Sequence, residues 1–230
     1  MKKYFTFVFL ILMLAACKKD DPTNNENAKP LPSWPLIKST TNSFMLNGQF
    51  TLPYSDTTYY DSLWRNSNFN YSNPGEVSFD AGTYILSNGL AIQFSGPSIP
   101  VTYTYNYDIN GYLSDHSSTY YEYNADSNLV RSYYQSQGGN SYITLYTYAS
   151  GKNTIGNYNY GLYFLGKDSK NVIDHIIYYR VNSPGDTVET AYTNYAHTFD
   201  SEGRISGETR VAVDLPNDTS SYTIKQYTYY

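Results

Sequence analysis

A chain of 230 residues is long enough to bury a core of its own and suggests one domain with a small appendage. Its formal charge is −5, from 15 basic and 20 acidic side chains, and no Lys/Arg cluster offers the electrostatic footprint of a nucleic-acid binder. A solitary cysteine, Cys17, excludes an intramolecular disulfide and a cysteine-based zinc site.

Tyrosine occurs 29 times, and only 15% of residues are charged. Aromatic and β-branched residues suit a pleated, half-buried surface, while helix formers are scarce after the first 16 positions. The composition predicts an all-β chain.

The N-terminus reads MKKYFTFVFLILMLAAC. Lys2 and Lys3 precede an apolar run from Tyr4 to Leu14, too short to span a bilayer comfortably and shaped like a secretory signal. Leu14-Ala15-Ala16-Cys17 resembles the lipobox of bacterial lipoproteins. That resemblance implies cleavage after residue 16 and acylation of Cys17, hence a membrane anchor; two or three acyl chains give stable attachment. Lys18-Lys19-Asp20-Asp21 resembles the surface-export signal of Bacteroidota lipoproteins, which implies an outer-membrane protein displayed on the cell surface, with a periplasm-facing placement as the alternative. The Pro- and Asn-rich stretch that follows predicts a flexible tether over residues 17–42 and an all-β domain over 43–230.

From Ser43 onward, turn signals separate short alternating runs. Asn47-Gly48 and Ser87-Asn88-Gly89, each between apolar segments, predict hairpins, because Asn and Gly tolerate the positive φ that matches strand twist. Between them, residues around Asp61 to Arg65 fit either a short helical turn or a long loop.

An internal repeat follows. Tyr107-Asp108-Ile109-Asn110-Gly111-Tyr112-Leu113 aligns with Tyr123-Asn124-Ala125-Asp126-Ser127-Asn128-Leu129; Phe199 to Ile205 repeats the design, and Asp168 to Ile173 is a weaker copy. Each unit reads as an aromatic strand, an Asp or Asn bonding the turn backbone, a left-handed position and an apolar return. The pattern resembles the YD-repeat (RHS-like) family over about residues 101–230, although Ser127 and Asn171 stand where glycine is usual. The resemblance implies a hairpin idiom rather than the activity of large YD-repeat shells, which this chain is too short to form. The predicted fold is an antiparallel meander of β-hairpins forming a curved, twisted sheet, partly covered by a second layer.

Strand parity puts Tyr103, Tyr105 and Tyr107 on one face, and Tyr142, Thr144, Tyr146 and Tyr148 likewise. Such rows stabilise a half-wet sheet face through cross-strand pairing. They also form a candidate ligand platform, with Tyr103, Tyr105 and Tyr107 as its named members, because tyrosine joins apolar area to a polar tip.

Other chemistry is thinly signalled. His116, His175 and His197 lack ligand spacing, and the Asp108 and Asp200 turns lack the full oxygen set of a calcium loop, so no metal or cofactor is expected. The acidic residues fall in presumed turns and single out no catalytic pair, and neither a nucleophile elbow nor a phosphate loop is present. Asp56-Thr57-Thr58, Asp61-Ser62-Leu63 and Asp186-Thr187-Val188 resemble short O-glycosylation triplets of exported Bacteroidota proteins. These features together predict an envelope lipoprotein acting as a non-catalytic binding or scaffold module, with a glycan or an envelope protein as partner; an envelope hydrolase is the alternative.

Overall fold

Alternating aromatic, Thr/Ser and aliphatic residues give the described residues fifteen strands: β1 (Ile37–Leu46), β2 (Gln49–Phe50), β3 (Tyr54–Thr57), β4 (Glu76–Phe79), β5 (Gly82–Ser87), β6 (Leu90–Ser95), β7 (Tyr103–Tyr107), β8 (Leu113–His116), β9 (Thr119–Tyr123), β10 (Leu129–Gln135), β11 (Ser141–Lys152), β12 (Asn171–Ser183), β13 (Asp186–Phe199), β14 (Ile205–Asp214) and β15 (Thr219–Tyr229). The computed structural model describes residues 35–46, 49–50, 53–60, 65–97, 102–136, 139–183, 186–215 and 219–230. The signal segment, Cys17, the tetrad at Lys18, the Asn47-Gly48 turn and the Asp61 triplet lie outside them.

From β4 to β15 each strand pairs antiparallel with the next, and β15 then pairs with β1. On its far side β1 carries β2 and β3. Among the described residues no pairing joins β4 to that edge, so the meander is an open, twisted sheet, as the hairpin pattern predicts.

One boundary differs from expectation. Residues 37–42, assigned by composition to the tether, form most of β1, with Ser39 to Met45 in register against Thr228 to Tyr222. The Thr and Ser that look like linker are here strand residues. Ile37, fully buried beside Val172, Ile205 and Tyr227, fastens them to the core.

The repeated turns share one geometry. In the first, the Asp108 carboxylate accepts the backbone N–H groups of Asn110 and Tyr112. Asn124 does the same for Asp126 and Asn128, and Asp200 for Glu202 and Arg204. The left-handed position is Gly111, Ser127 and Gly203 respectively. Ser127 takes φ 64° with a side chain, a conformation that costs about 1 kcal/mol over glycine. Ser127→Gly is therefore expected to raise the unfolding free energy by about that amount, read as a higher urea midpoint with unchanged slope. The weaker copy at Asp168 makes no hairpin; its carboxylate instead accepts the Asn157 N–H inside a long connection. The Asn88-Gly89 turn forms as predicted, with φ 51° and 80° between β5 and β6.

That long connection, residues 153–170 between β11 and β12, supplies the second layer. It carries two 3-10 turns, Asn157–Tyr160 and Tyr163–Leu165, and lies on one face of the sheet, here the inner face. Phe164, with no exposed surface, packs on Val77 and Ala91 and meets the rings of Tyr84 at 5.3 Å and Phe69 at 5.6 Å. At the other end, Ile155 and Tyr160 pack against Ile37, Val172, Ile205 and Tyr227. Polar bonds complete the fastening. The Asn128 and Asn171 side chains are joined at 3.0 Å, the Ile205 N–H donates to Thr154 Oγ1 at 2.8 Å, and Asn159 Nδ2 donates to the Pro35 carbonyl at 2.6 Å.

The tyrosine rows share the covered face. Register aligns Tyr105 with His116, Tyr121 with Ser132, Ser132 with Thr144 and Thr144 with Tyr178. Charged residues join them further along, where His197 faces Glu208 and Glu208 faces Lys225. The outer face is the more aliphatic one over β11 to β14, with a continuous cross-strand row of Leu145, Ile177, Tyr192 and Val213. The apolar residues of β12 are thus divided between the core, at Val172 and Ile176, and a half-exposed outer surface.

Candidate functional site: the inner tyrosine face

Aromatic packing decides what each tyrosine can offer. Tyr105 stacks on His116 at 4.4 Å and 18°, Tyr103 lies 6.5 Å from Phe94 in a stacked pair, and Tyr107 abuts Gly166. These three residues share one face as parity requires, and much of their ring area is taken up by protein neighbours. Tyr84, Phe79 and Phe94 extend the slab toward the β4 edge.

His116 is half-buried in this slab, and its buried Nε2 has no hydrogen-bond partner among the described residues. Burial lowers its basicity, with the adjacent Asp115 carboxylate opposing. The folded state therefore favours the neutral ring. The associated stability is present above the ordinary histidine value near 6.5 and is lost as pH falls below it, because the unfolded chain then binds the proton more readily. A fall in urea midpoint between pH 7 and pH 5 is expected to be smaller in His116→Phe than in the unmodified chain.

Beyond the slab, the same face opens. Tyr121, Tyr146, Tyr178 and Tyr195 lie across β9 to β13; Tyr146 is close enough to disfavour ionisation of Tyr121 and Tyr195, and Tyr178 to disfavour that of Tyr146 and Tyr195. Tyr146 Oη is 3.2 Å from Ser132 Oγ. Burial pushes the Tyr195 phenol up to about 12; Arg210 opposes the shift, and Tyr178, Glu208 and Tyr146 add to it. Tyr148, also pushed up to about 12 by burial, donates to the Leu129 carbonyl at 2.7 Å, and Tyr229 donates to the Ile205 carbonyl at 2.8 Å. Those two are committed to holding the fold.

Two clefts flank the covering connection. One, of about 190 Å³, is lined by Asn153, Gly156, Asp168, Tyr195, His197 and Glu208, among others. The second, of about 260 Å³, is lined by Tyr121, Tyr123, Tyr148, Asn157, Lys167 and Asp168, among others. Asn153, Asp168 and Ile173 belong to both, so the clefts meet at the Asp168 carboxyl. Burial raises the pKa of Asp168, against which the Asn157 N–H acts. His197 Nε2 lies 3.3 Å from Glu208 Oε2, and these side chains are 7% and 10% exposed. A larger hollow, about 370 Å³, is lined by Ser117, Ser118, Tyr120, Gln135, Ser136 and Gly139; it lies among hairpin loops, and none of its described lining residues is charged.

The three histidines do not converge. His116 lies in the aromatic slab, His175 Nδ1 is 2.6 Å from Asn194 Oδ1 on the outer face, and His197 lines the inner cleft. Among the described residues no three His, Cys, Asp or Glu side chains are grouped to hold a metal. Thr57 and Thr187, in two of the O-glycosylation triplets, are exposed.

Sequence reasoning did not find the pairing of Asp168 and Glu208 in one cleft. Asp168 looked like a turn residue in a weak repeat, and Glu208 sits in a strand. Strand alternation on β13 and β14 could have placed His197 opposite Glu208, but their register depends on a bulge between Thr198 and Phe199.

No family model matches the sequence, and no curated protein matches it. Solved structures do resemble it in fold. A porin-like protein from Bacteroides uniformis superposes with a TM-score of 0.59 at 17% identity, covering 84% of this chain and 98% of that one. A porin-like protein from Bacteroides vulgatus superposes with a TM-score of 0.54 at 11% identity, covering 85% of this chain and 99% of that one. At these identities the likeness is one of architecture: the chain shares the all-β fold of the two porin-like proteins.

Proposed function

We propose that the protein is a non-catalytic binding module of the bacterial cell envelope, anchored through lipidated Cys17 and presenting its inner tyrosine face to a ligand. The observation that carries this reading is the open part of that face, where Tyr121, Tyr146, Tyr178 and Tyr195 gather beside two clefts. Tyrosine is suited to such a surface, since it offers wide, rigid contact area and a hydrogen-bonding tip at low entropic cost. The likeness to porin-like proteins of two Bacteroides species agrees with an outer-membrane setting. The lipobox and the Lys18-Lys19-Asp20-Asp21 tetrad add anchoring and surface display to the proposal.

Envelope capture tests the binding reading. Full-length protein crosslinked to envelope material on intact cells should retain its partner in Tyr120→Ala, whose ring lies on the outer face, and lose it in Tyr146→Ala/Tyr195→Ala. Equal capture by all forms would overturn it. For the anchor, Cys17→Ala is expected to move the protein from the membrane fraction to the soluble fraction and to abolish labelling by a radioactive fatty acid. Persistent membrane association of Cys17→Ala without label would contradict lipid anchoring.

The second reading, an envelope hydrolase, draws on Asp168 and Glu208 lining one cleft. Two carboxylates flanking a bond are what glycoside hydrolysis uses. Release of reducing ends from envelope polysaccharide, abolished in Asp168→Asn or Glu208→Gln, would favour it.

A further inference from the structure

We infer that the paired clefts meeting at Asp168 form a subsite for a neutral oligosaccharide, with two linked sugar units lying on either side of that carboxyl. The inference rests on the binding reading above and names its ligand class.

The argument starts from the walls. A pyranose ring presents apolar C–H faces and a rim of hydroxyls, so a matching site needs flat aromatic surface with acceptors and donors at its edge. In the smaller cleft, Tyr195 and His197 form a stacked pair, with ring centroids 6.2 Å apart and planes within 4° of parallel, and supply the aromatic part of the wall. Asn153, Asp168 and Glu208 stand around it. In the larger cleft, Tyr121, Tyr123 and Tyr148 supply the aromatic surface, and Asn157, Lys167 and Ser169 the polar edge. Mostly apolar or aromatic lining with a few convergent polar groups is the usual composition of a small-ligand site. The two compartments share one wall, so a chain of linked units fits them better than one compact ligand does.

Charge narrows the class. An anionic ligand would bring its charge against Glu208 and beside the Asp168 carboxyl, with Lys167 the lone lysine or arginine in the described lining of either cleft. A cationic ligand would need free carboxylates, yet Glu208 is already hydrogen-bonded to His197, and burial disfavours the charged form of Asp168. A carboxyl in that environment is well placed to exchange hydrogen bonds with sugar hydroxyls. Burial also makes such bonds count, because a polar site left unpaired discriminates strongly against a ligand lacking the matching group.

Isothermal titration calorimetry on the full-length, detergent-solubilised protein tests the proposal. The probes are neutral hexasaccharides of glucose, mannose and N-acetylglucosamine, a hyaluronan hexasaccharide as the anionic probe and spermine as the cationic probe. At least one neutral hexasaccharide should bind, and Tyr195→Ala and Asp168→Asn should each weaken it at least about tenfold, a contact of about 1.4 kcal/mol. Tyr120→Ala should leave affinity unchanged. Circular dichroism confirms that each variant is folded, and Asp168→Asn retains a carbonyl oxygen for the Asn157 N–H.

The proposal is overturned if none of the neutral probes binds, if only hyaluronan or spermine binds, or if binding is unaffected by both cleft variants. Should the sugars fail while envelope capture still depends on Tyr146 and Tyr195, the ligand class falls and the binding module stands. Mass spectrometry of the bound sugar separates the remaining case: cleavage would keep the oligosaccharide and overturn the non-catalytic reading.

Discussion

Replacing Phe164 with alanine is expected to lower the unfolding free energy by about 3–5 kcal/mol, the range for emptying a buried phenylalanine site. Among the described residues Phe164 is the largest fully buried side chain, and it belongs to the connection rather than to the sheet. Its ring lies against Tyr84, Phe69 and Tyr71, so its removal opens a cavity bounded by rigid rings with little freedom to collapse. A loss this size is a large fraction of the stability of a typical domain. Urea unfolding followed by near-ultraviolet dichroism checks it: the midpoint should drop sharply, and the aromatic signal of the slab should weaken even before unfolding. A change under about 1 kcal/mol would mean that the connection does not serve as the second layer of the core.

The second large effect is expected at Gly166, which caps the second 3-10 turn of the same connection. Its φ of 84° and ψ of −172° fall in a region that is essentially restricted to glycine. A Cβ there would also lie 2.5 Å from Tyr107 Cε1 and 3.0 Å from the Gly111 carbonyl oxygen. Backbone strain and overlap act together, so Gly166→Ala should cost about 3 kcal/mol or more. Gly89→Ala is the control. It shares a positive φ but meets nothing within 4 Å, and should cost about 1 kcal/mol. Equal losses at the two positions, measured by urea denaturation, would show that contact with Tyr107 contributes nothing.

Those two residues also mark the limit of what the sequence reveals. The strands, their parity and the hairpin turns follow from local chemistry. Asp108, Asn124 and Asp200 each bond two turn amides, and Tyr103, Tyr105 and Tyr107 share a face because strand side chains alternate. Residues 153–170 carry no such signal. Asn157 to Tyr160 reads NYNY, which resembles the alternating strands around it, yet it forms a 3-10 turn because Phe164 and Ile155 must reach two separate clusters on the sheet. Residues 37–42 of β1 resemble tether for a related reason. Its partner β15 lies at the opposite end of the sequence, and the burial of Ile37 and Asn42 appears only after that pairing.

The candidate site was legible in type and displaced in position. Tyrosine rows identified the face, but the rings at Tyr103, Tyr105 and Tyr107 pack on protein neighbours, whereas Tyr121 and Tyr195 line the clefts, with Tyr146 and Tyr178 on the strands between them. What moved the open region along the sheet was the position of the connection, a long-range feature. Asp168 illustrates this: a residue that resembles a hairpin turn becomes the common wall of two clefts once residues 153–170 fold across the inner face.

Hydroxyl-radical footprinting of the full-length protein on intact cells, with and without the envelope ligand competed away, tests the central claim most directly. Tyr146, Tyr178 and Tyr195 should be protected when the ligand is present and become more reactive on competition, while Tyr120 on the outer face stays constant. Protection confined to the outer face, or the same oxidation pattern in both conditions, would contradict a ligand seated on the inner tyrosine face.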